Sequence, residues 1–263
     1  MTTDTRERSV LGRVVILVLI LVGIAGANIL AFTFGAGDTG DIANEAFGES
    51  NFFFPASYVF GTIWPTIYLF FAALMVHQLL PSQTANRRYA AGLPWLAASV
   101  FLNTGWIAIF DSQLFVWAFW AILPIVALAV VGHRRLGIGS DERATEAGTA
   151  EKVVTIGPRI YTAWVTVATI AAAASALLTV GWNGFGIPAE TWGVVMIIVG
   201  AVLGVAFLFL LRDPVFPAVY AYAYVGIAVR WLDASRAVGV TSVVCAAILV
   251  AAFAVGLVVS LRR

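Results

Sequence analysis

Apolar residues along this chain come in unbroken runs rather than in alternation, and polar residues collect in the short stretches between them. The run VVILVLILVGIAGANILAF is apolar on every helical face, the pattern of a helix with no solvated side. A membrane-spanning helix takes about 20 such residues, and the runs place eight spans at about 11–34, 58–80, 93–110, 113–132, 160–180, 191–211, 215–230 and 239–261. Transmembrane β-strands would instead alternate apolar and polar residues in segments of about ten. The pattern therefore predicts an all-α integral membrane protein with about eight transmembrane helices. The seventh run, VFPAVYAYAYVGIAV, is the shortest and opens near Pro217, which suits the first turn of a helix. The first run follows Arg6, Arg8 and Arg13 and outlasts the apolar core of a typical signal peptide, so it reads as an uncleaved anchor.

Composition agrees: 61% of the 263 residues are hydrophobic and 11% are charged, against about a quarter charged in a soluble domain. Eight spans leave no length for a separate soluble catalytic domain. The placement of charge changes the picture more than its sum. Lys and Arg accumulate on the cytoplasmic side of a membrane protein. With the N-terminus inside, cytoplasmic segments hold all 15 basic residues except Arg230 and Arg236. The connection 35–57 carries Asp38, Asp41, Glu45 and Glu49 and no cation, which puts it outside. The expectation is a multi-pass protein of the cell membrane with both termini cytoplasmic. No basic patch supports a nucleic-acid partner. Cys245, the one cysteine, sits in an apolar run and reads as a small buried hydrophobe. Gly200 and Gly204 form a small-xxx-small pair in the sixth span, suited to close helix packing within one protomer or between two. The connection 133–159, with its GIGSDERATEAGTAEK stretch, reads as a solvated linker or short surface helix.

Several chemistries are disfavoured. No Asp, Glu, Lys or Arg lies deep within a predicted span, whereas proton relays and ion-coupled pumps are built on such residues. A retinal Schiff base needs a lysine inside the bundle, and the only lysine, Lys152, falls in a connection. His77 and His133 sit near the cytoplasmic ends of two spans, with no Cys, Asp or Glu beside them to complete a metal site. No Ser or Cys occupies a nucleophile elbow, so enzyme activity has no visible carrier. What remains is aromatic. Trp64, Tyr68, Phe71 and Met75 recur at helical spacing in the second span, Ser99, Asn103, Trp106 and Phe110 in the third, and Tyr161, Trp164 and Ala168 in the fifth. Asn103 and Asn28 are neutral amides at membrane depth, which cost free energy unless they find a partner; a helix-to-helix hydrogen bond and a ligand contact both satisfy that need. Trp95, Trp182, Trp192 and Trp231 fall near span ends, where interfacial anchoring is the default. Trp64, Trp106 and Trp164 fit either plain core packing or an aromatic pocket for a flat apolar ligand.

The same faces carry a resemblance. FPASYVFGTIWPTIYLFFAALMV resembles the second-helix signature of the tryptophan-rich sensory protein family, whose mitochondrial members are called translocator protein, through Val59, Phe60, Gly61, Trp64 and Tyr68. VFLNTGWIAIF is similar to the family's third-helix motif at Leu102, Asn103, Trp106 and Phe110, and YTAWVTVAT to its fifth-helix motif at Tyr161, Trp164, Val165, Ala168 and Thr169. The family's loop tryptophans are replaced by Phe53 and Tyr58, and a proline by Thr62. The resemblance covers about residues 11–180 and implies two units: a five-helix bundle, 1–180, and a three-helix C-terminal membrane extension, 181–263. It implies a receptor or sensor that binds a porphyrin or other flat apolar molecule without a required cofactor, often as a homodimer. Its pocket residues would be Trp64, Tyr68, Asn103, Trp106, Tyr161 and Trp164, under a lid of Phe53, Pro55 and Tyr58. The alternative is an uncoupled transporter or membrane chaperone for an apolar solute, its path completed by the extra helices.

Overall fold

A computed structural model describes residues 3–33, 39–48, 50–139 and 147–261. Side chains of residues 3–9, 27, 28, 30–33, 39, 40 and 261 lie outside the described set, Asn28 among them, as do residues 34–38, including Asp38, and Glu49. Ten α-helices stand among these residues, and no strand. Helix α1 is Thr3–Thr33, α2 is Thr39–Phe47, α3 is Tyr58–Leu79, α4 is Arg87–Asp111 and α5 is Phe115–Arg135. After them come α6 (Thr149–Val154), α7 (Ile156–Thr179), α8 (Ala189–Leu210), α9 (Val215–Trp231) and α10 (Arg236–Leu261). Every predicted span is a helix. Six runs are long and apolar enough to cross a bilayer, with α6 and α7 counted together over Thr149–Thr179. The other two are α1, whose described apolar stretch is Val10–Gly26, and the 17-residue α9.

Local sequence explains the ends. Asn86 opens α4 by accepting from the Arg88 and Tyr89 N–H groups at 3.0 and 3.2 Å, the N-cap geometry that satisfies orphan donors. The α4–α5 turn is three residues, with Gln113 at φ 58°, and it forces an antiparallel pair. These two helices approach closely because glycines meet across the contact. A Cβ on Gly132 would stand 2.7 Å from Leu96 Cγ and 3.1 Å from the Gly92 carbonyl. Small residues that admit backbone contact are what hold helices together in lipid, where burial of apolar surface gives no net drive.

Cross-contacts show that successive helices alternate in direction. At one end Arg13 donates to the Gln78 carbonyl, Arg88 to the Leu136 carbonyl, and Arg159 to Asp213. At the other, Asn51 donates to Ser175 and Trp231 to the Phe54 carbonyl. Apart from Arg230 and Arg236 at the second of these ends, the described basic residues therefore gather at the first. Several are not solvated there. Asp213, in the link between α8 and α9, is fully buried; it accepts from Arg159 at 2.6–3.0 Å and from the Val215 N–H at 3.0 Å, with His133 Nε2 at 3.5 Å. Arg88 pairs with Glu151 of α6 at 3.4 Å. The bundle is thus uncharged only through its middle.

Helix α9 is the interior element of the C-terminal helices. It packs against α7, α8 and α10, and Phe216, Tyr220 and Tyr224 on it are fully buried. Gly200 and Gly204 of α8 face inward to it: a Cβ on Gly200 would meet the Tyr224 hydroxyl, and one on Gly204 would stand 2.8 Å from Leu249 of α10 and 3.0 Å from Tyr220. The glycine pair therefore packs within one protomer.

Candidate functional site

Helices α3, α4 and α7 converge on a seam of aromatic side chains. Trp106, Phe110, Phe54, Phe60 and Trp164 follow one another with ring centroids 5.0–6.4 Å apart. Deeper in, Trp64 stacks on Tyr68 at 5.7 Å, and Phe71 meets Tyr161 edge-on at 5.6 Å. Three small voids run along this seam. The first lies under Phe53, Phe54 and Pro55, beside Trp106 and Trp164. The next is bounded by Phe60, Trp64, Asn103 and Trp106, and the last by Trp64, Tyr68, Asn103 and Tyr161. Neighbouring voids share walls. Their free volumes are about 20, 20 and 10 Å³, each enough for about one water.

Several polar groups around the voids are tied to the protein itself. The Ser99 hydroxyl donates to the Ile125 carbonyl at 2.8 Å, and the Tyr161 hydroxyl in turn donates to Ser99 Oγ at 2.9 Å. Trp106 Nε1 donates to the Ala118 carbonyl at 2.9 Å, which locks its indole against α5. Asn103 is 4% exposed and lines two of the three voids. Its amide makes no hydrogen bond to another described residue. No histidine, cysteine, methionine or charged residue lines the seam.

Of the residues singled out in the sequence, Phe53, Pro55, Trp64, Tyr68, Asn103, Trp106, Tyr161 and Trp164 come together on these walls. Tyr58 does not: it is 45% exposed at the start of α3 and faces away. The sequence reading missed Phe54, Phe60 and Phe110 as wall residues, although all three stand inside the runs that carry the resemblance. It also missed Ala223 and Ile227 of α9, for which small apolar residues in an apolar helix give no signal. Trp231 is not an interfacial anchor; it is buried beneath the loop, 4.8 Å from the Phe52 ring. His77 and His133 have separate partners, the Tyr89 hydroxyl at 2.7 Å and Asp213.

Fold and seam together define a polytopic helical membrane protein with an uncharged, aromatic-walled interior cleft closed by a loop. The chain belongs to the TSPO-like protein family, whose sequence profile matches residues 13–255 and so runs across both the first five spans and the three that follow. No curated protein and no solved structure matches it.

Proposed function

We propose that this protein is a membrane receptor or sensor that binds a flat apolar ligand in the seam between α3, α4 and α7, with a tetrapyrrole as the first candidate. The observation that carries the reading is the string of aromatic-walled voids with one amide, Asn103, facing two of them. Aromatic walls with a few polar groups suit a flat apolar molecule, and the Asn103 amide on two of those walls can offer a ligand a hydrogen bond. The voids are far smaller than a macrocycle, so binding displaces side chains: rings that now stack on each other, such as Phe54 on Phe60, would stack on the ligand instead. Because no histidine, cysteine or methionine lines the seam, a metal-free macrocycle suits it better than an iron porphyrin, which needs an axial ligand.

Titration of protoporphyrin IX into the protein in lipid nanodiscs tests this. Saturable quenching of tryptophan emission at micromolar porphyrin is expected, weakened at least several-fold by Trp164→Phe or Asn103→Leu; no quenching would overturn the reading. The serial voids also favour a second reading, an uncoupled transporter or chaperone for an apolar solute. Saturable flux into liposomes would select it. The homodimer and the cytoplasmic placement of both termini belong to the same proposal. The termini rest on the gathering of basic residues at one end, and protease access in sealed vesicles checks them.

A further inference from the structure

Helix α9 lies along both sides of the loop that closes the seam. Ala223 and Ile227 bound the void beneath Phe53, Phe54 and Pro55. One turn further on, Arg230 and Trp231 line an open pocket of about 470 Å³ on the other side of the loop, with Asn44, Ala56 and Ser57. Between these rows the loop and the start of α3 are tied to α9 at four points. The Ala56 N–H donates to the Gly226 carbonyl at 3.1 Å, Trp231 Nε1 to the Phe54 carbonyl at 3.2 Å, and Arg230 Nη2 to the Gly48 carbonyl at 2.8 Å. The Tyr222 hydroxyl bonds Thr62 Oγ1, whose own proton is directed to the Tyr58 carbonyl at 2.8 Å.

Ring contacts follow the same line, Phe52 with Trp231 at 4.8 Å and Phe53 edge-on to Tyr224 at 6.0 Å. Loop and helix touch backbone to backbone. A Cβ on Gly226 would collide with Val59 and stand 3.0 Å from Pro55 Cβ, so only glycine allows this approach.

We infer that α9 is the latch of the seam: its bonds to Gly48, Phe54, Ala56 and Thr62 hold the lid shut, and the seam exchanges its contents with the outside only when loop and helix part. The reason is one of size. With the lid in place the void beneath it has about 20 Å³ free, room for a water and nothing larger, while the space into which the loop would lift is the open pocket that α9 also lines. The inference rests on the ligand-binding reading for its purpose, not for its test.

Access can be measured without a ligand. Cys245, the only cysteine, is replaced as Cys245→Ala, and Ala172→Cys puts a thiol on the wall under the lid, at a position 2% exposed. The rate of modification by a water-soluble methanethiosulfonate in nanodiscs is then compared with and without Trp231→Phe, which keeps an aromatic ring against Phe52 but removes the donor to Phe54. Arg230→Gln, at the other end of the loop, is an independent second release. Loss of one hydrogen bond is expected to speed labelling about five-fold, and loss of both about twenty-five-fold. Equal rates in all four proteins would overturn the latch. Faster labelling without porphyrin quenching would retire the porphyrin reading and keep the latch, and unchanged labelling with normal quenching would do the reverse.

Discussion

The buried ion pair at the link between α8 and α9 makes the sharpest stability prediction. Asp213→Ala removes a fully buried carboxylate that accepts three contacts from Arg159 and one from the Val215 N–H. Breaking a buried pair by deleting one partner costs about 3–5 kcal/mol, because the other charge is left without compensation. The Arg159 side chain is 23% exposed and keeps some water, so the lower end applies, about 3 kcal/mol, or roughly 150-fold in the folding equilibrium. Replacing both partners behaves differently. In Arg159→Met with Asp213→Leu no charge is stranded, and the remaining cost is the lost bond to the Val215 N–H, about 1 kcal/mol. Unfolding in mixed micelles of rising dodecyl sulfate fraction, followed by tryptophan emission, compares the parent, Arg159→Met, Asp213→Leu and the double variant as the four corners of one cycle, with Asp213→Ala beside them. An Asp213→Ala variant within about 1 kcal/mol of the parent, or single costs that simply add, would refute the reasoning.

Two further variants use the same assay. Ser99→Ala strands the Tyr161 hydroxyl and should cost about 1–3 kcal/mol, while adding Tyr161→Phe to it should cost nothing more, since the stranded group is then gone. Gly132→Ala drives a methyl to 2.7 Å from Leu96 Cγ and should cost about 1–3 kcal/mol, whereas Gly12→Ala, with nothing within 4 Å, should be neutral or stabilising by up to about 1 kcal/mol.

The helices were legible in the sequence because each span is a continuous apolar run, and such a run has one favourable state in lipid. The seam was legible in part for a related reason. Trp64 and Tyr68, or Asn103 and Trp106, stand three or four residues apart, so each pair must share a helix face. What brings three such faces together is tertiary packing, which spacing along one helix does not encode. Asp213 shows the limit. It stands in a connection, where a charge reads as solvated, yet its main partner lies 54 positions earlier on α7. Trp231 was misread on the same ground, since a tryptophan at a span end has two uses and only the position of the loop decides between them. Gly200 and Gly204 announced close packing, and the tyrosines of α9 settle where it occurs.

The shortness of α9 bears on how the chain is made. Seventeen residues rise about 26 Å, less than the roughly 30 Å of the hydrocarbon layer, and three tyrosine hydroxyls ride on it. Those groups find acceptors on other helices: Tyr220 on Thr166, Tyr222 on Thr62, and Tyr224 on the Ile197 carbonyl. A nascent chain that has emerged only as far as α9 therefore has a weak insertion signal, which its neighbours strengthen by shielding those hydroxyls from lipid. Because Thr62, Thr166 and Ile197 all stand on helices made before it, α9 should stay in the membrane when those helices precede it and should insert poorly when it is expressed without them.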